Sequence, residues 1–224
     1  LALVLVILVL ARPQTTNKWQ NSEIEGIDIM LAIDVSTSML AEDLKPNRLE
    51  AAKDVAAEFI NGRPNDNIGI TLFAGETFTQ CPLTVDHAVL LDMIHNIKCG
   101  LITDGTAVGM GIANAVTRLK DSKAKSKVII LLTDGTNNKG DISPMTAAEI
   151  AKSFGIRVYT IGVGTNGMAP YPYPVGNTVQ YVSMPVEIDE KTLTEIAGTT
   201  DGNYFRATSN SKLKEEYEEI DKLE

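Results

Sequence analysis

Four runs of almost uninterrupted apolar residues constrain the fold of this 224-residue chain more than any other feature. Strands that are exposed to water on one face alternate apolar with polar residues, whereas parallel strands covered on both faces are apolar throughout. The four runs therefore predict buried parallel strands. They are IDIMLAID (27–34), NIGITLFAG (67–75), KVIILLTD (127–134) and RVYTIGVG (157–164).

Segments with helical periodicity alternate with these runs. In the first, apolar residues three and four apart follow Asn47 and Glu50, which have the spacing of a capping box. The alternation predicts an α/β fold: a doubly wound, mostly parallel, Rossmann-like sheet flanked by helices, with ligands bound where the strands end. We expect helices at 47–60, after residue 84, and at 108–119, 143–155, 189–198 and 209–223, with a last strand at 203–207.

One stretch, GTNGMAPYPYPVGNTVQYVSMP (164–185), fits neither period. Its proline, glycine and tyrosine content argues against a long helix. Two interpretations stay open: a surface excursion, or a loop that faces a partner.

The amino terminus is a separate unit. Its first eleven residues, LALVLVILVLA, are all apolar, and at about 1.5 Å per residue they cover about half of a bilayer's hydrocarbon core. We expect 1–13 to be the end of a transmembrane helix that starts before this sequence, with Arg12, Lys18 and Trp19 at the membrane interface. A polar linker (14–25) would then lead to a domain at 26–224.

Two other interpretations of the apolar run compete with the membrane helix. A signal-peptide core would need a cleavage site, and Leu10-Ala11-Arg12 is a poor match to the small-residue pattern. A buried strand is disfavoured because a leucine-rich run of this length exceeds ordinary strands.

Charge and cysteine content exclude several classes of protein. The chain has 20 Lys and Arg against 29 Asp and Glu, a net charge of −9 that repels phosphate backbones, so nucleic acid is not an expected partner. Cys81 and Cys99 are too few for a disulfide framework and are not spaced as a metal knuckle. They could pair only if the domain is exported.

Oxygen-bearing side chains follow two of the predicted strands. Asp34 ends the first run, and Ser36 and Ser38 follow at alternate positions, which point the same way in an extended loop. Asp134 ends the KVIILL run, and Thr106 precedes the 108–119 helix. Because parallel strands end at one edge of the sheet, two carboxylates and three hydroxyls would converge there. Hard divalent cations prefer such ligands.

Asp and Ser also cap helices and build turns, so the first three residues alone are a weak signal. The second carboxylate and the third hydroxyl favour a metal site. With few charges around it, the metal would stay electrophilic and would accept a carboxylate from outside.

These motifs resemble the von Willebrand factor A (VWA) domain and its metal-ion-dependent adhesion site (MIDAS). The resemblance covers about 26–223 and implies a site for Mg²⁺, or alternatively Mn²⁺ or Ca²⁺. The five residues that match the site are Asp34, Ser36, Ser38, Thr106 and Asp134.

Three further segments resemble the membrane-anchored Bat proteins of bacterial aerotolerance operons, of the BatA type. They are FAGETFTQCPLT (73–84), DGTAVGMGIANA (104–115) and IDEKTLTEIAG (188–198). The resemblance implies a non-enzymatic interaction module in the bacterial inner membrane, with its soluble domain on the periplasmic side. It also implies Bat-type membrane proteins and a MoxR-type AAA ATPase as partners, in aerotolerance or stress.

The alternative class is an enzyme, a metal-dependent hydrolase or phosphotransferase that uses the same carboxylates and hydroxyls. The motifs contain no evident general base and no Lys or Arg placed to hold a phosphate. A P-loop pattern is missing from the sequence. His87 and His95 are eight residues apart, which does not fit a zinc pair, so we expect them to be structural.

Overall fold

A six-stranded sheet with helices on both faces forms the centre of the computed structural model, which describes residues 26–176 and 178–224. The expected membrane helix end (1–13) and linker (14–25) lie outside the described residues. Among the helices of the described ranges, none is long and apolar enough to cross a bilayer.

The predicted strands and helices are present, and three further strands interrupt their alternation. The strands are β1 (Asp28–Asp34), β2 (Asn67–Phe73), β3 (Thr77–Thr84), β4 (Lys127–Thr133), β5 (Arg157–Val163), β6 (Met168–Val175), β7 (Thr178–Pro185) and β8 (Tyr204–Ala207). The helices are α1 (Arg48–Asn61), α2 (His87–His95), α3 (Val108–Leu119), α4 (Pro144–Ser153), α5 (Glu190–Thr199) and α6 (Asn210–Leu223), with a short 3-10 helix at Thr37–Leu40. The three further strands are β3, β6 and β7.

The central sheet has the order β3-β2-β1-β4-β5-β8, and every neighbouring pair except β2 with β3 is parallel. This confirms the doubly wound α/β fold. The chain leaves β1 toward β2 on one side and later adds β4 on the other, so the topological switch lies between β1 and β4. Crevices at such switch points hold the ligands of open α/β sheets.

Both faces of the sheet are covered, which explains the continuous apolar runs. Alternate β1 residues such as Leu31 join a core cluster with α1, α2 and α6. The residues between them, such as Met30 and Ala32, join a second cluster with α3, α4 and α5. All seven residues of β1 are buried.

At the start of α1, one of the two hydrogen bonds of the predicted capping box is present. Asn47 Oδ1 accepts a hydrogen bond of 2.8 Å from the Glu50 backbone N–H, as expected of an N-cap. The Glu50 carboxylate, however, binds Lys53 Nζ at 2.8 Å and lacks the return bond of a capping box. Half of the capping-box prediction is therefore wrong.

The stretch 164–185 is more regular than the sequence analysis expects, because β6 and β7 pair in it as an antiparallel hairpin. Prolines occupy every second position in most of β6, and proline in a sequence argues against a strand, so the sequence does not predict β6. The Pro170 carbonyl accepts a bond of 2.8 Å from Glu42 N, so this position points its backbone away from β7. Proline lacks an N–H and is tolerated at such outward positions of edge strands.

β3 also departs from the expected elements. It is the antiparallel edge of the sheet, mostly half-buried, with Pro82 inside it and irregular register against β2. These features weaken an apolar strand signal.

The cysteines do not pair with each other, and each histidine contacts the backbone. Cys81 is buried and Cys99 half-buried, and both are free thiols. His87 Nε2 lies 2.9 Å from the Asp66 carbonyl oxygen, and His95 Nδ1 lies 2.6 Å from that of Leu91. The histidines thus contact backbone carbonyls, as expected.

Two helical glycines should respond to alanine with opposite signs. A Cβ at Gly109 in α3 would overlap the Ile142 carbonyl oxygen, whereas a Cβ at Gly198 in α5 meets nothing within 4 Å. We expect Gly109→Ala to lower the free energy of unfolding by about 1–3 kcal/mol through overpacking. Gly198→Ala should raise it by about 0.4–1 kcal/mol by restricting the unfolded chain.

Urea unfolding followed by circular dichroism measures both effects. Equal changes in the two variants would contradict the close packing of α3 on the loop before α4.

Candidate metal centre

Asp34 is the last residue of β1, and its buried carboxylate is oriented by two neighbours. Oδ1 accepts a hydrogen bond of 2.9 Å from the Ser36 backbone N–H, and Oδ2 accepts one of 2.7 Å from Thr133 Oγ1 at the end of β4. The first bond turns the chain out of the sheet, because an Asp side chain that binds the backbone two residues on forms an Asx turn. The second joins the ends of the two central strands.

The hydroxyls of Ser36 and Ser38 link the loop after β1 to the second carboxylate, Asp134. Ser36 Oγ lies 3.0 Å from Ser38 Oγ, and Ser38 Oγ donates a bond of 2.7 Å to Asp134 Oδ1. Four of the five predicted ligands are therefore connected by hydrogen bonds at the switch point between β1 and β4.

Thr106, the fifth predicted ligand, is buried, and its backbone contacts the segment that follows Asp134. Its backbone N–H donates to Asn138 Oδ1 at 2.9 Å, and its carbonyl accepts from Asn138 N at 2.9 Å. A Cβ placed on Gly135 would lie 3.4 Å from Thr106 Oγ1. The threonine hydroxyl thus neighbours the residue after Asp134. The structure places all five predicted residues together, and their role as metal ligands stays a prediction.

A buried arginine completes the site, and the sequence analysis missed it. Arg48, the first residue of α1, donates from Nη1 to Asp134 Oδ2 at 2.7 Å. Its Nε and Nη2 donate to the two oxygens of Asp43, each at 2.7 Å. Arg48 pairs with carboxylates of the protein itself, so it leaves unchanged the expectation that no Lys or Arg is placed to hold a phosphate. Its partner Asp134 is 86 residues away in the chain, and no local sequence pattern indicates such a pairing.

The surrounding backbone shapes the space for this guanidinium. Thr165 N donates to Asp43 Oδ2 at 2.8 Å, which holds the carboxylate from its other side. Gly164 has a φ of +145°, and a Cβ there would lie 2.9 Å from Arg48 Nη2. Glycine is therefore needed at this position for conformation and for space.

The loop between β1 and α1 (residues 35–47), called the metal loop below, is also held by Asp104. The two oxygens of Asp104 accept bonds from the Thr37 backbone N–H at 3.0 Å and from Thr37 Oγ1 at 2.8 Å. Partial burial opposes its ionisation, but the hydrogen bonds outweigh this and lower the pKa of Asp104. Thr37, between the two predicted serine ligands, is thus fixed without using either of them.

Burial makes the two central carboxylates hard to ionise together. Burial and the charge of Asp134 raise the pKa of Asp34 to about 7. Burial also raises the pKa of Asp134, against the opposing effect of Arg48. The thiol of Cys99 lies 3.4 Å from the Ser36 carbonyl, and burial with the nearby carboxylates raises its pKa to about 12. A divalent cation would relieve the repulsion between the carboxylates.

The donor set fits a hard divalent cation. Two carboxylates and three hydroxyls supply only oxygen, which matches Mg²⁺ with waters in its remaining positions. Among the described residues, no group of three or more His, Cys, Asp or Glu side chains is arranged for a metal ion. A cation at this site would therefore depend on the hydroxyls, unlike a structural zinc site.

The chain belongs to the family of the von Willebrand factor type A domain, whose profile matches residues 28–219. This agrees with the fold and with the resemblance stated from the motifs.

Two similar solved structures are an aerotolerance-related membrane protein and a BatB protein. An aerotolerance-related membrane protein of Bacteroides fragilis is 32% identical, with a TM-score of 0.77 over 88% of this chain and 98% of its own. BatB of Bacteroides thetaiotaomicron is 34% identical with the same TM-score and coverages. The BatA type stays a prediction.

A third similar structure was solved with a metal ion in its own MIDAS motif. Proximal thread matrix protein 1 of the mussel byssus, solved with a zinc-occupied MIDAS motif, is 24% identical with a TM-score of 0.69 over 88% of this chain and 45% of its own. At this identity it shows the fold alone.

Two curated relatives are similar over almost the whole chain. A UPF0353 protein of Mycolicibacterium paratuberculosis is 30% identical over 99% of this chain and 67% of its own length. An uncharacterized protein of Borreliella burgdorferi is 29% identical over 100% of this chain and 66% of its own. The chain therefore spans about two thirds of these relatives.

The Arg48 ion pairs should contribute strongly to stability. We expect Arg48→Met to lower the free energy of unfolding by about 3–5 kcal/mol, because it leaves two buried carboxylates without their cation. Lys45→Met, in the loop before this helix, is the control. Its Nζ lies 3.7 Å from Glu42 Oε2 and its side chain is 72% exposed, so losing this pair should cost at most about 1 kcal/mol.

Urea unfolding of both variants without added metal makes this comparison. Equal losses would show that the Arg48 pairs contribute no more than a partly exposed one.

Proposed function

We propose that this chain is a membrane-anchored, non-enzymatic interaction module in which Asp34, Ser36 and Ser38 hold Mg²⁺, and in which that metal receives an acidic side chain of a partner protein. The observation that carries the proposal is the hydrogen-bonded cluster of Asp34, Ser36, Ser38 and Asp134 at the sheet switch point. Mn²⁺ and Ca²⁺ are alternative occupants, since both accept oxygen ligands.

Charge explains why such a site would capture an acid only when a metal is bound. Arg48 pairs with Asp43 and Asp134, and the charge of Asp134 acts on Asp34. Three carboxylates and one guanidinium therefore leave two negative charges when all three carboxylates are ionised. These charges repel an approaching carboxylate. A divalent cation neutralises them and offers its open position to an anion.

Arg48 would strengthen this effect. By pairing with Asp134 it removes one negative charge from the surroundings of the metal. A metal that is less neutralised by its own protein binds an external carboxylate more strongly. Thr106 and Asp134 lie on loops different from that of Asp34, and they would complete the coordination directly or through water.

The same contacts favour binding over catalysis. A phosphotransferase or hydrolase would use a cationic side chain to hold its anionic substrate. Arg48 is buried, and each of its three nitrogens already donates to a carboxylate, Nε and Nη2 to Asp43 and Nη1 to Asp134. It is therefore a structural part of the site and is not free to bind a phosphate.

We further propose the cellular setting that the Bat resemblance implies. The partners would be Bat-type membrane proteins and a MoxR-type AAA ATPase, in aerotolerance or stress. The B. fragilis relative, described as an aerotolerance-related membrane protein, supports this. Residues 1–13 would enter the lipid bilayer of the inner membrane, with the domain on the periplasmic side.

Metal binding tests the site directly. We expect isothermal calorimetry of the chain in detergent to show saturable Mg²⁺ or Mn²⁺ binding, and Asp34→Ala to abolish it. Asp121→Asn, which changes an exposed carboxylate outside the site, should leave binding unchanged. Thr106→Ala should weaken binding while the circular dichroism spectrum stays that of the parent. Equal heats for the parent and Asp34→Ala would contradict the proposal.

Membrane orientation has its own test. With the domain outside the cytoplasm, alkaline phosphatase fused after Glu224 should be active in cells, since it requires an oxidising compartment. A green fluorescent protein fusion at the same position should be dark if exported in unfolded form. A bright fluorescent fusion with an inactive phosphatase would place the domain in the cytoplasm.

A further inference from the structure

A groove of about 260 Å³ opens between the metal loop and the β6–β7 hairpin. Thr37 and Ser38 line it on the side of the metal loop, and Tyr171, Tyr173 and Met184 line it on the side of the hairpin. Ser38 is also a predicted metal ligand, so the groove is continuous with the candidate metal centre.

The hairpin is fastened to the metal loop by specific contacts. Glu42 is the main link, since its backbone N–H donates to the Pro170 carbonyl at 2.8 Å and its Oε1 accepts from Tyr181 Oη at 2.9 Å. Asp43, which binds Arg48, accepts a further bond from Thr165 just before the hairpin. The position of the groove wall is therefore tied to that of the metal site.

The hairpin carries much of the exposed apolar surface. Of thirteen large apolar side chains exposed in the described residues, seven lie in it. Tyr173 is 57% exposed and Met184 is 47% exposed, although both line the groove. Concentrated apolar exposure of this kind marks interaction surfaces.

The dimensions and charge of the groove indicate what it binds. Its volume is below the range of about 300–1,000 Å³ typical of small-molecule sites, so it fits a side chain better than a cofactor. Among its described lining residues Arg48 is charged and none is acidic. No carboxylate among these lining residues would therefore repel an acidic partner segment.

We propose that the groove binds an apolar side chain of the same partner segment whose carboxylate reaches the metal. The inference rests on the proposed function and deepens it. The recognised element is an extended segment with Asp or Glu and, two residues away, a large apolar residue. In an extended chain, side chains two residues apart share a face and are separated by about 6–7 Å. The metal alone would accept any surface carboxylate, so the apolar contact supplies selectivity.

Selection from a random heptapeptide library displayed on phage tests this with the full chain in detergent and Mg²⁺, eluting with chelator. We expect the eluted peptides to pair Asp or Glu with Leu, Met, Phe, Tyr or Trp two residues away. The double variant Tyr173→Ser, Met184→Ser should still select acidic peptides but lose the apolar preference. It should bind the parent's best peptide about tenfold more weakly.

Val85→Ser is the matched control, because Val85 is an exposed apolar residue that does not line the groove. It should select the same peptides as the parent, with unchanged affinity. Circular dichroism of all variants verifies that they fold.

Three outcomes would overturn the inference, and they are distinguishable. Acidic peptides without an apolar preference would leave the proposed function intact and remove the role of the groove. Chelator-eluted peptides without acidic residues would contradict the proposed function itself. A metal-independent dimer, seen by light scattering and dissolved by the double variant, would assign the groove to a second copy of this chain.

Discussion

The buried contact between Arg48 and Asp134 is the interaction on which the rest of the site depends. Two carboxylates lie at the ends of adjacent strands, where burial and mutual repulsion oppose their ionisation. The guanidinium compensates one of them and binds Asp43 with its other nitrogens. Such an arrangement costs desolvation energy, which is offset only because each charge has well-placed partners. Removing the arginine would leave the strand ends with unpaired charge.

This contact also connects the candidate metal site to the surface around it. Asp43 joins Arg48 to the backbone of Thr165, and its neighbour Glu42 contacts the hairpin. The loop that carries the serines is therefore held between the sheet and the hairpin. The candidate metal site and the apolar groove therefore share this one loop, whose position depends on contacts with both the sheet and the hairpin.

Sequence reasoning succeeded where the physical signal is local or periodic. The apolar runs predicted β1, β2, β4 and β5, because strands covered on both faces need apolar side chains at every position. Asp34 and Asp134 were found because they follow such runs, and parallel strands end at one edge of the sheet. The hairpin was missed because alternate prolines resemble loop composition. They fit a strand only when its neighbour lies on the other side.

The sequence by itself determined the fold class and the oxygen donors that gather at the end of β1, since both follow from residue order and short-range geometry. Only the tertiary structure decided that Arg48 neutralises Asp134 and that Glu42 fastens the hairpin beside the metal loop. These contacts join positions 86 and 139 residues apart. No local pattern encodes them, because long-range pairing of charges depends on where packing places each backbone segment.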